Sequence, residues 1–159
     1  MTCRWVWLVA FAVTVLGVAA DVEAAGQPDF NALEGTCLRV ELGGDDLTAS
    51  CLATIGRSAY SDGRVGFYFM LTGSRILTFS GVDRSNRAQG FDIDRVVINA
   101  GAANGSPNVL AASGHCAVRN GPRGADTIQC SGQFSKGTRF SAAFRLKGKP
   151  KKGEVQSDN

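Results

Sequence analysis

Histidine is almost missing from this chain: His115 is the only one in 159 residues. Free thiols are equally scarce. Of five cysteines, Cys3 precedes an N-terminal apolar run, and the other four fall into two equally spaced pairs. With those four expected to be oxidised, a Cys–His nucleophile and a zinc cluster both lack their ligands. The chain also lacks a Gly-x-Ser-x-Gly elbow, a Gly-x-x-x-x-Gly-Lys phosphate loop and a dinucleotide fingerprint. Beyond the N-terminal run, no window of eleven or more residues has helical periodicity and no segment is apolar enough to span a membrane. These absences remove most common enzyme classes and leave a non-catalytic β protein, with no cofactor and no metal.

Arg4, the apolar stretch Trp5 to Leu16, and the small residues ending at Val22-Glu23-Ala24-Ala25 follow the order of a secretory signal peptide. Residues 1–24 are therefore assigned as a leader, cleaved after Ala24 or alternatively after Ala20. Its apolar core is shorter than the ~20 residues of a spanning helix. Removal of Arg4, Asp21 and Glu23 leaves 16 basic and 12 acidic residues, a net charge of +4. That is too mild a bias for a dedicated nucleic-acid binder. The remainder fits one β domain, 25–146, followed by a basic tail, 147–159, expected to be disordered. The expected location is the periplasm or the extracellular medium.

Cys37 is followed by thirteen residues and then Cys51, and Cys116 by thirteen residues and then Cys130. Four exported cysteines imply two disulfides with three possible connectivities. Turn chemistry favours local pairing. Midpoints fall on Gly44, within Gly43-Gly44-Asp45, and on Arg123, within Gly121-Pro122-Arg123-Gly124. Val40 would then oppose Thr48, Arg39 would oppose Ala49, and Val118 would oppose Ile128. Bridges between the hairpins are the alternative. The repeated spacing suggests an internal duplication.

Val65, Phe67, Phe69 and Leu71 alternate with Gly66, Tyr68 and Met70, the period of a half-buried strand. Phe91 and Ile93 alternate with Asp92 and Asp94, and the apolar phase then slips to Val96 and Ile98, which predicts a bulge near Asp94-Arg95. About eight strands are expected, over 36–42, 46–55, 65–71, 75–80, 91–98, 110–119, 126–133 and 138–146. The fold class is all-β, a small antiparallel barrel or sandwich with two local disulfides.

Three groups of residues are candidates for work. Tyr60, Arg64 and Tyr68 are expected on the solvent side of an aromatic strand, as a contact patch that can be altered without unfolding the domain. Lys147, Lys149, Lys151 and Lys152 could lie against an anionic surface. Asp92 and Asp94 are the carboxylates that an enzyme without histidine chemistry would use, and His115 should point away from the Cys116 side of its strand. No motif carries residues over from a family. In fold class and compartment alone the chain looks like the small disulfide-bonded β-barrel proteins of the bacterial envelope, some of which inhibit lysozymes or proteases. The expected function is exported, non-catalytic binding, inhibitory or otherwise, of an unknown protein or envelope component. A calycin-like barrel with a small apolar ligand is the alternative, and a carboxylate-only enzyme ranks behind both. A barrel filled by Phe67, Phe69, Phe79 and Phe144 would bind on its surface; a hollow one would imply a ligand inside.

Overall fold

The computed structural model describes residues 27–83, 90–101, 105–121 and 125–148. The leader, the tip of the Cys116–Cys130 hairpin, and Lys149, Lys151 and Lys152 lie outside them. The described chain forms nine antiparallel strands: β1 (Asp29–Leu42), β2 (Asp45–Asp46), β3 (Cys51–Ala59), β4 (Arg64–Leu71), β5 (Arg75–Val82), β6 (Gly90–Asn99), β7 (Asn108–Arg119), β8 (Thr127–Phe134) and β9 (Arg139–Leu146). Each pairs with its neighbour in sequence, β3 with β1 across the short β2, and β1 also pairs with β9. That last ladder closes eight strands into a barrel, with β2 as an addition at the rim.

Closure depends on a change of partner within β1. Its first half, Asp29 to Glu34, pairs with Thr54 to Ala59 of β3. Its second half, Gly35 to Leu42, pairs with Phe140 to Leu146 of β9, with Leu38 bulged out of the ladder. Cys37 lies where β1 leaves β3, and its disulfide to Cys51 bridges the parting strands at a Cα separation of 6.1 Å. Local pairing of both cysteine pairs is thus as expected. The strand expected over 46–55 is corrected, because residues 48–50 form a 3₁₀ turn and β3 starts at Cys51. Val40 and Thr48 still meet, but through a side chain: the Val40 N–H donates to Thr48 Oγ1 at 2.9 Å. The turn before β2 is Gly43-Gly44 with φ of 68° and 98°, the left-handed pair that a two-residue hairpin loop demands.

In the second hairpin Cys116 opposes Cys130 and Val118 opposes Ile128, as the midpoint predicts. Here the disulfide sits inside an unbroken ladder, and both sulfur-bearing residues are buried. The bulge also falls where expected: Asp94 has no ladder partner on either neighbour, since Ser80 pairs with Arg95 while Gly81 pairs with Ile93.

Alternate residues point inward and fill the barrel. Phe69 stands edge-on to Phe79 at 5.5 Å between ring centroids and edge-on to Phe144 at 6.3 Å, while Phe79 lies 5.3 Å from Phe140. Phe67 and Phe91 pair at 5.7 Å nearer one mouth. Edge-on and offset arrangements are those that aromatic quadrupoles favour. At that mouth, the space among Arg57, Val65, Phe67, Gly90, Phe91 and Val118 is only about 20 Å³. Among the described residues no helix is long and apolar enough to cross a membrane.

Candidate functional site

Because Phe67 and Phe69 face the core, the pleat turns Arg64, Gly66 and Tyr68 of β4 outward. Gly56 and Ser58 of β3, which oppose Tyr68 and Gly66, share that outer wall. Tyr60 closes the same hairpin, its N–H donating to the Arg64 carbonyl at 2.8 Å. The three sequence candidates are therefore brought together on one wall.

They are not loose surface groups. Tyr68 shares a hydrogen bond of 3.0 Å with Ser58 Oγ, and Ser58 is buried beneath it. Arg64 grips Asp94 with both terminal nitrogens, at 3.1 and 2.9 Å, and also donates to Ser80 Oγ at 3.2 Å. Removing Arg64 or Tyr68 would therefore also remove contacts of the outer wall.

Phe30 escaped sequence analysis. It precedes the run first recognised as a strand, yet it opposes Ser58 and sets its ring edge-on to Tyr68 at 5.7 Å. Gly56 makes room for it, since a Cβ there would come within 2.6 Å of the Phe30 ring. Half of Phe30 remains exposed, at 52%. Phe30, Tyr60 and Tyr68 with Arg64 form an aromatic patch anchored by a guanidinium. The neighbouring Tyr68 phenol opposes a second negative charge and holds Tyr60 above the ordinary tyrosine pKa.

The bulge explains Asp94. Displaced from the ladder, it meets Arg64 and also accepts from Arg95 Nε at 3.0 Å. The hydrogen bonds from Arg64, against a smaller opposing effect of burial, hold its carboxyl below the usual aspartate value. A depressed carboxyl stabilises the fold above the ordinary aspartate pKa and loses that contribution as pH falls through its own lower value. Asp94→Asn should therefore be less stable than wild type at neutral pH, with the gap closing in acid. Urea midpoints at several pH values check this, and a gap constant down to strong acid would contradict it.

Asp92 is engaged separately, its carboxylate 3.0 Å from His115 Nδ1 and accepting from it in the Nδ1–H tautomer. His115 points outward, opposite in sense to the buried Cys116 beside it, as expected. Ser131 is its cross-strand neighbour on β8. The imidazole nevertheless leans the other way, with Nε2 so close to Gly90 that a Cβ there would sit 2.9 Å from it. No base-to-hydroxyl contact results. Among the described residues, no group of three or more histidines, cysteines or carboxylates could hold a metal. Lys147, the described member of the basic tail, donates its N–H to the Glu34 carbonyl at 2.8 Å and approaches the Glu34 carboxylate at 3.7 Å. Comparison with known protein families, curated proteins and solved structures gives no match.

Proposed function

We propose that this chain is an exported, non-catalytic binding domain, periplasmic or secreted, that engages a protein or envelope component through the outside of its barrel. The half-exposed Phe30 ring carries this proposal, set edge-on to Tyr68 on the outer wall of a barrel whose inside is occupied by other phenylalanines. Exposed aromatics beside an arginine are the groups that dominate binding energy at protein interfaces. Two disulfides support a location outside the cytoplasm. The phenylalanine-filled interior weighs against a calycin-like carrier, and the separate engagement of Asp92 and Asp94 weighs against a carboxylate-pair enzyme.

Phe30→Ala combined with Tyr60→Ala leaves the Arg64–Asp94 and Tyr68–Ser58 contacts in place, so stability should fall by about 1 kcal/mol or less. Retention of the native envelope partner on immobilised protein should fall sharply. Undiminished retention would move the contact elsewhere. Saturable uptake of a fatty-acid probe, with a matching rise in melting temperature, would instead favour the interior carrier.

A further inference from the structure

The wall opposite the aromatic patch has different chemistry. In register, Asp92, His115, Ser131, Ser141 and Glu41 stand side by side across β6, β7, β8, β9 and β1. With strands ~4.8 Å apart, this polar row is ~19 Å long. A second row, Ser113, Gln133 and Arg139, runs beside it across β7, β8 and β9. Between the rows Gly114 opposes Gly132. In the pleat both point inward, where a Cβ at Gly132 would meet the buried Phe140 ring at 2.6 Å. The two outward rows border an open groove of about 740 Å³ whose lining includes Arg39, Glu41, Ser131, Gln133, Arg139 and Ser141. A smaller depression of about 370 Å³, lined in part by Leu38, Gln129 and Ala143, adjoins it.

The charge in this groove is unbalanced. Glu41, its lining carboxylate, is already held by Ser141 Oγ at 3.1 Å and by Arg39 Nε at 3.5 Å. Arg139 is exposed and, among the described residues, forms no ion pair. The side chains of Ser113, Ser131 and Gln133 likewise have no hydrogen-bond partner among the described residues. None of the exposed large apolar residues Phe30, Leu38, Leu52 and Val109 lines the groove. Its β7, β8 and β9 strands are paired along both edges, so the floor of the groove offers a peptide no strand edge to extend. Recognition here must run through hydroxyls, an amide, a carboxylate and an unneutralised guanidinium.

From this we infer that the groove binds an acidic glycan chain, with a uronate carboxylate on Arg139 and sugar hydroxyls on Ser131, Ser141, Gln133 and Glu41. The short side chains of Ser113, Ser131 and Ser141 let a sugar ring approach the sheet, and the row has the length of a few linked sugars. This site is distinct from the aromatic patch and shares with it only the premise that the barrel binds on its outside. Calorimetric titration of the purified protein with an oligouronate, an equally long oligoglucose and poly-glutamate tests it. The oligouronate should bind saturably and the other two should not. Arg139→Gln should weaken binding roughly tenfold, the effect of one charge-assisted contact. Ser131→Leu, an outward substitution that fills the groove, should abolish binding, with melting temperature reporting that the variant is folded. Phe30→Ala should leave the affinity unchanged. Absence of oligouronate binding, equal binding of poly-glutamate, or indifference to Arg139→Gln overturns the assignment. Loss on Phe30→Ala alone would place the glycan on the aromatic wall, overturning this site while leaving the binding function intact.

Discussion

Phe69→Ala should cost about 3–5 kcal/mol of folding stability, the usual range for removing a fully buried phenylalanine. Phe69 is completely buried and touches rings from β5 and β9, so its loss empties the centre of the barrel. Chemical denaturation of the variant gives the magnitude. A second measurement addresses the cavity itself: an apolar void of that kind stays dry and takes up small aromatic molecules. Benzene should therefore raise the melting temperature of Phe69→Ala and leave wild type unaffected. A loss below about 1 kcal/mol, or benzene stabilisation of the wild-type protein, would show that the native interior is already loose, and the small-ligand carrier would return.

Replacing Cys116 and Cys130 together by alanine should remove about 3 kcal/mol, the chain-entropy contribution of a loop of this length. The melting temperature should drop by roughly 10 °C. The loss should be spread over the whole domain, because this bridge lies in the core within a continuous ladder. The Cys37–Cys51 bridge closes an equally long loop, so its removal should cost a similar amount globally. Its local effect differs. The β1–β3 ladder ends at the Glu34–Thr54 pair, and the disulfide holds the two strands beyond that point. Amide exchange in β3 near Cys51 should speed up in that variant beyond the global change, and exchange in β7 and β8 should not. Equal acceleration everywhere would mean that the bridge has no local role.

The same contrast explains what was legible in the sequence. Cys116 to Cys130 is a simple hairpin, so spacing and turn chemistry give its register directly. Cys37 to Cys51 has the same spacing, and Asp29 to Glu34 do obey the register it implies against Thr54 to Ala59. Between them the register fails because β1 turns to β9, a partner a hundred residues away that leaves no trace in local periodicity. The Asp94 bulge was legible because an inserted residue shifts the apolar phase within its own strand. Phe30 was not, since it lies outside the core and its only patterned neighbours belong to other strands. The serine row was invisible for a related reason: Ser131 and Ser141 become neighbours only once β8 and β9 are in register.

The divided pairing of β1 also sets an order of events during folding. Its leading half can settle early, against residues only 20 to 30 positions away in sequence. Its trailing half has to wait for Phe140 to Leu146, the last strand among the described residues. Until then the sheet has two open edges, each able to recruit a neighbouring chain. Closing so long a loop is slow, because its entropy must be met before the final contacts form. Ribosome-bound or truncated chains ending before residue 139 should therefore be the aggregation-prone species, while the finished barrel, with its ends zipped together, should not.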